Sequence, residues 1–198
     1  MTAETEDMHQ NSADSDSQAQ FRQRVRDWCV ENIPSDWRQT QTGAPDEEFV
    51  AFQKAWFATL HSAGYAVPHW PREWGGGMSV AEQVVLYQEL AAHDAPRLVL
   101  AFVGVHHAAS TLLVAGTEEQ RRRHLPAIVD GEIWVQGFSE PEAGSDLASL
   151  RTFARREGDH YVVNGRNCGP AAVCMPTGAC CWPAPIPMPP SARAFRTF

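Results

Sequence analysis

Lysine is almost missing from this chain: Lys54 is the only one, against 15 arginines. That bias is the mark of a GC-rich genome and bears on no mechanism. Basic residues as a whole are outnumbered, 16 to 24, and the formal net charge is −8. Wholesale attraction to nucleic acid or to an anionic membrane is thereby excluded. No apolar run is long enough for a membrane span. The longest, residues 98–114, is interrupted by Gly104, His106 and His107, and is read as a buried helix. Residues 1–20 carry five acids, no lysine or arginine and almost no large apolar side chain, so they are expected to form a disordered tail. They hold neither the apolar stretch of a secretory signal nor the Arg-rich stripe of a transit peptide, which points to a cytoplasmic protein.

Familiar ligand motifs are also missing. There is no G-x-G-x-x-G, no phosphate loop and no His-Glu-x-x-His. The four cysteines after residue 167, Cys168, Cys174, Cys180 and Cys181, form no CxxC pair. His106 and His107 are neighbours, and on a helix adjacent side chains diverge by about 100°, so they are read as core and boundary residues. No metal is expected.

What is present divides into four stretches. Residues 21–131 read as a helical domain. Phe21, Val25, Trp28 and Cys29 fall on one face at i, i+4, i+7 and i+8, and Pro34 closes that helix. Pro45 followed by Asp46, Glu47 and Glu48 starts the next, with acids in its first turn. Its buried face is marked by Phe49, Phe52, Trp56 and Leu60, and Gly64 ends it. A turn-rich link over 67–77 precedes a capping box, Ser79 with Glu82, for a helix to about His93. Thr117 with Gln120 is a second capping box, opening a helix that ends near Pro126.

After Gly131 the period changes, and residues 132–167 read as the start of an antiparallel β-domain. Strands are expected at 133–138, 150–155 and 160–163, the last two joined by a turn at Glu157-Gly158-Asp159. Asn164-Gly165 is a hairpin signal that calls for a partner strand beyond it. Residues 168–198 shift abruptly in composition: seven prolines, four of the five cysteines, and no Asp, Glu or Lys. We read this stretch as an aberrant, out-of-frame continuation rather than a proline-rich linker. The fold class is thus a mainly α N-terminal domain followed by the start of an antiparallel β-domain.

The motif with most chemical content is Phe138-Ser139-Glu140-Pro141-Glu142-Ala143-Gly144-Ser145-Asp146. It follows Trp74-Gly75-Gly76, then Gly116-Thr117-Glu118-Glu119-Gln120, Leu125-Pro126 and Gly131-Glu132, and precedes Gly158–Gly165. In that order the landmarks resemble the acyl-CoA dehydrogenase family over residues 21–164, about half of a family member. The resemblance implies a FAD enzyme that oxidises an acyl-CoA thioester to the 2,3-enoyl-CoA. A carboxylate base takes the α-proton while flavin N5 accepts the β-hydride. By position, Gln136, Gly137, Phe138 and Ser139 match the strand that meets the flavin pyrimidine edge, and Ser145 matches a contact to the CoA moiety. Ser139 stands where the family has Thr or Ser; Gln136 stands where an aromatic is common. Glu140 and Asp146 are read as turn and capping residues.

Departures are equally informative. Asn164-Gly165-Arg166-Asn167 lacks the family's lysine and the aromatic–Thr element that packs on the flavin ring. The family's C-terminal helical bundle, which carries the base glutamate, has no counterpart in this sequence. No catalytic residue is therefore assigned, and the chain alone is expected to bind FAD poorly and not to turn over. An exposed apolar patch and a homo- or hetero-oligomer are also expected. The acyl group, with bulky or steroid-like groups one class, and the electron acceptor are left open. The other readings are a non-catalytic fragment or partner subunit of a complete dehydrogenase, and a related acyl-CoA oxidase or flavin monooxygenase.

Overall fold

In the structure, a computed structural model, residues 16–135 and 139–166 are described. They belong to two compact units, one formed from residues up to 43 with 59–97, the other from 44–58 with residues from 98 onward.

The first unit is built on helix α1 (Asp16–Asn32) and helix α4 (Val80–Ala92). Phe21, Val25 and Cys29 of α1 bury against Val85 and Leu86 of α4, with Trp28, Ile33, Tyr65, Met78 and Leu90 packed around them. Trp28 meets Tyr65 edge to face, centroids 5.1 Å apart. Each large apolar side chain so buried stabilises by roughly 1.5–3 kcal/mol. Asp16–Gln20, assigned to the disordered tail from sequence, are helical. The good helix formers Gln18, Ala19 and Gln20 simply extend the helix that Phe21 anchors.

One carboxylate ties the same two helices. Glu89 of α4 is buried and accepts from Arg22 Nη1 (3.0 Å), Arg26 Nε (3.1 Å) and Arg26 Nη2 (3.2 Å). The Ser79–Glu82 capping box is closed in both directions: Glu82 N–H donates to Ser79 Oγ (3.3 Å) and Ser79 N–H to Glu82 Oε2 (2.8 Å). Ahead of it, the link at 67–77 is tight because Gly76 lies on the main chain; a Cβ there would stand 2.2 Å from the Trp70 carbonyl oxygen. A short helix, α2 (Trp37–Gln41), completes this unit, its Arg38 paired with Asp94 and its Trp37 indole donating to Asp94 O (2.9 Å).

Helix α3 covers Asp46–Ser62. Its expected face is shifted: Trp56 and Leu60 are buried as read, with Gln53 and Phe57 beside them, whereas Phe49 and Phe52 are half-buried. Gln53 is tolerated inside because its Oε1 accepts the Val99 N–H (2.9 Å).

In the second unit the expected buried helix over 98–114 is not one α-helix. Residues 99–101 form turns, Val103–Ala108 wind a wider π-helical turn, and α5 covers Ala109–Ala115. Leu100, Val105, Ala109 and Leu112 are buried, but Phe102 and Val114 are 49 % and 86 % exposed, so the run is buried on one face only. Helix α6 (Glu118–Val129) opens at the Thr117–Gln120 capping box and passes through Pro126 for one more turn. The missing Pro126 N–H removes one bond, while burial of Ile128 and the bond from Asp130 N–H to Pro126 O (2.9 Å) hold the turn beyond it. Gly131, at φ +91°, makes the stop.

Ile133–Val135 form no ladder among the described residues, so the strand expected at 133–138 is not seen there, and residues 136–138 lie outside the described set. The other two strands are present. β1 (Phe153–Glu157) and β2 (His160–Asn164) pair antiparallel, with Phe153 opposite Asn164 and Glu157 opposite His160, around the turn at Gly158 (φ +66°). The partner strand called for after Gly165 falls outside the described residues.

Candidate functional site

The site is built where the helical part of the second unit gives way to its hairpin. Trp134 is the first fixed point. Its indole stands edge-on to the buried imidazole of His124 on α6, centroids 5.5 Å apart at 86°. Its Nε1 points to Glu132 Oε2 at 3.4 Å. Room for the ring comes from Gly104 in the π-helical turn, where a Cβ would meet Trp134 Cδ1 at 3.4 Å and Ile128 Cγ2 at 3.3 Å.

Glu140 is the second fixed point. Its side chain is buried, and the carboxylate accepts the Arg151 N–H at Oε2 (2.9 Å) and the Thr152 N–H at Oε1 (2.6 Å). Hydrogen bonding from Thr152, then from the Arg151 N–H, holds the carboxyl below its ordinary range. The Glu140 main chain makes a two-way bridge with Ala143 (2.9 and 3.1 Å) across Pro141-Glu142, and Arg151 pairs with Glu142 at 3.0 Å. A carboxylate so engaged organises the turn and is poorly placed to shuttle protons. Asp146 is exposed, and its carbonyl accepts from Ser149 N–H (3.2 Å) and Oγ (2.9 Å), again a turn role.

Of the residues matched to cofactor binding, Gln136, Gly137 and Phe138 lie outside the described residues. Ser139 is exposed, immediately ahead of the Glu140 bridge. Ser145, matched to CoA, is exposed in the bend two residues beyond the bridge. Among the described residues no group of three or more His, Cys, Asp or Glu could hold a metal. No helix of the described chain is long and apolar enough to cross a membrane. Trp134, His124, Gly104 and Thr152 were not legible as site residues; the one available signal was a tryptophan two positions before Gln136.

The chain has counterparts among known proteins. The family model for the acyl-CoA dehydrogenase N-terminal domain matches residues 15–132. Acyl-CoA dehydrogenase IpdE1 of Mycobacterium tuberculosis is 43 % identical over 152 residues, covering 74 % of this chain and 39 % of that protein. FadE26 of the same organism is 35 % identical over 152 residues, covering 75 % and 37 %. Among solved structures, the Tcur3481–Tcur3483 steroid ACAD superposes with a TM-score of 0.61 at 35 % identity, over 77 % of this chain and 39 % of that one. The ChsE4–ChsE5 complex of Mycobacterium tuberculosis superposes with 0.61 at 33 % identity, over 77 % and 38 %. The chain belongs to the acyl-CoA dehydrogenase family, and it spans about two fifths of the length of these relatives.

Proposed function

We propose that this chain supplies the flavin-edge and CoA contacts of a FAD-dependent acyl-CoA dehydrogenase in the cytoplasm. One observation carries the reading. The Ser139–Asp146 motif is a turn whose buried carboxylate is committed to the backbone, which leaves Ser139 and Ser145 exposed for ligands. Gln136, Gly137, Phe138 and Ser139 would hold the flavin pyrimidine edge, and Ser145 the CoA moiety. When bound, the flavin supplies the hydride acceptor for α,β-dehydrogenation of the thioester. No carboxylate described here is assigned as the base: Glu140 is engaged with the backbone, and the family resemblance puts the base in a C-terminal bundle. Likeness to a steroid ACAD favours a bulky acyl group. The electron acceptor is left open.

Titration of FAD fluorescence with the purified chain tests this. Weak, saturable quenching is expected, reduced about tenfold in affinity by Ser139→Ala, the scale of one lost hydrogen bond. No saturable quenching by the native chain would sink the reading.

A second reading has its own support. Two of the solved relatives are two-component proteins by name, Tcur3481–Tcur3483 and ChsE4–ChsE5. The chain would then be a non-catalytic partner subunit that pairs with a complete dehydrogenase. Co-purification of a full-length family member from the native host supports this alternative; a chain that purifies alone at native concentration speaks against it.

A further inference from the structure

Gly165 meets a demand that its place in an Asn-Gly pair does not reveal. Phe153 stands opposite Asn164 in the hairpin ladder, so one step outward brings Thr152 across from Gly165. The approach there is close. A Cβ on Gly165 would lie 2.6 Å from Thr152 Cβ and 2.8 Å from Thr152 Cα, with Oγ1 nearer still. Rotating the Thr152 side chain moves neither Cβ nor Cα, so a larger residue at 165 has to push Thr152 or the end of β2 aside. Thr152 is itself tied down. Its N–H donates to Glu140 Oε1 (2.6 Å), and the neighbouring Arg151 N–H donates to Oε2 (2.9 Å). Glu140 in turn makes the two-way main-chain bridge with Ala143 (2.9 and 3.1 Å). The bend at 144–145 lies between that bridge and the turn in which Ser149 N–H donates to Asp146 O (3.2 Å), and Ser145 is exposed in it. Gly158, at the other end of the hairpin, makes the contrast: its φ is +66°, and no described atom lies within 4 Å of where a Cβ would stand.

From this series of contacts we infer that Gly165 is a positioning residue for the CoA-contacting bend, acting through Thr152 and the Glu140 clamp. It need touch no ligand. It leaves the space in which the Arg151 and Thr152 amides reach one carboxylate, and so couples the end of β2 to a turn that precedes the hairpin in the chain. The inference rests on the proposed contact of Ser145 with CoA. Such a contact depends on placement within about 0.5 Å. A methyl at 165 has to shift its neighbours by a comparable amount, since ordinary contact begins at 3.4 Å.

The test uses the full chain and coenzyme A, read by isothermal titration calorimetry well below the melting temperature, which is recorded for every variant. Gly165→Ala should weaken CoA binding about tenfold and speed hydrogen exchange at the Arg151 and Thr152 amides. Gly158→Ala strains the same hairpin through its positive φ without crowding Thr152, and should leave affinity within about twofold of the native chain. Glu140→Gln, close to isosteric, weakens the clamp from its other end and should also lower affinity. In that background Gly165→Ala should cost little more, because both changes act on one clamp. Ser145→Ala is run alongside. If it weakens binding while Gly165→Ala leaves affinity at the native value, the positioning role is overturned and the CoA assignment stands. Equal losses from Gly158→Ala and Gly165→Ala, or losses that add when Glu140→Gln and Gly165→Ala are combined, overturn it as well. If the native chain gives no saturable heat with CoA, the CoA assignment fails and takes this inference with it.

Discussion

Two buried glutamates do different work from what a carboxylate in a dehydrogenase suggests. Burial alone pushes Glu89 up, but hydrogen bonds from Arg26 and Arg22, together with their charges, more than offset it and leave the group below its ordinary range. Its stabilisation is therefore fully present above the unfolded glutamate value and is lost as pH falls through the lower folded one. Glu89→Ala should destabilise the α1–α4 pair by ~2 kcal/mol, below the usual range for a broken buried pair because the Arg26 side chain is 48 % exposed. Urea unfolding at pH 7 and pH 3.5 checks both statements: the gap between native and variant should narrow at the lower pH. Glu140→Gln should lower the melting temperature and loosen the amides of Arg151 and Thr152 in hydrogen exchange, since a neutral amide accepts at only one of the two positions. For Cys29, burial and then the charge of Glu89 push the thiol up to about 11, so it should resist alkylation until the chain unfolds, as peptide mapping would show. Residue roles were legible in part. The turn assignments of Glu140 and Asp146 followed from their place beside Pro141 and Gly144. The partners of Glu140 did not, because they lie 11 and 12 positions further on, and no local pattern encodes that.

At the scale of elements, local chemistry was read well and non-local packing poorly. Both capping boxes stand where their Ser/Thr-x-x-Glu/Gln spacing put them, because a cap is satisfied within four residues. Ser79→Ala should cost ~1 kcal/mol in thermal unfolding, with the loss confined to the stability of α4. Gly76→Ala should cost more, because the methyl would meet the Trp70 carbonyl and the link must open. The strand expected from residue 150 begins instead at Phe153, since Glu140 captures the N–H groups of Arg151 and Thr152. The apolar run at 98–114 suggested one buried helix; periodicity cannot show that Gly104 must sit against Trp134 and Ile128, nor that a π-helical turn does the fitting. Proline was overrated as a stop: Pro126 is carried inside α6, and the true stop is Gly131.

At the scale of the whole chain, the expected exposed apolar surface is found. On α4 the side away from Val85, Leu86 and Glu89 carries Val80 (76 % exposed), Val84 and Tyr87 at i, i+4 and i+7. A stripe of that kind on a helix promotes self-association. Replacing Val80 with lysine should reduce oligomer formation in sedimentation with little change in the melting temperature, because that side chain is 76 % exposed. The family assignment was legible because it rests on an ordered series of short motifs, and the helical match over residues 15–132 agrees with it. What the series supports beyond the family is ligand chemistry, and one spectrum addresses it most directly. The purified chain is mixed with FAD, its flavin fluorescence and visible absorption are recorded, an acyl-CoA is added, and the mixture is then gel-filtered. The account predicts saturable quenching, no bleaching of the flavin band by the thioester, and little flavin retained on the column. Unquenched flavin at every protein concentration would contradict the assignment of Ser139 and its neighbours, and a band that bleaches on adding the thioester would show that this chain holds a base of its own.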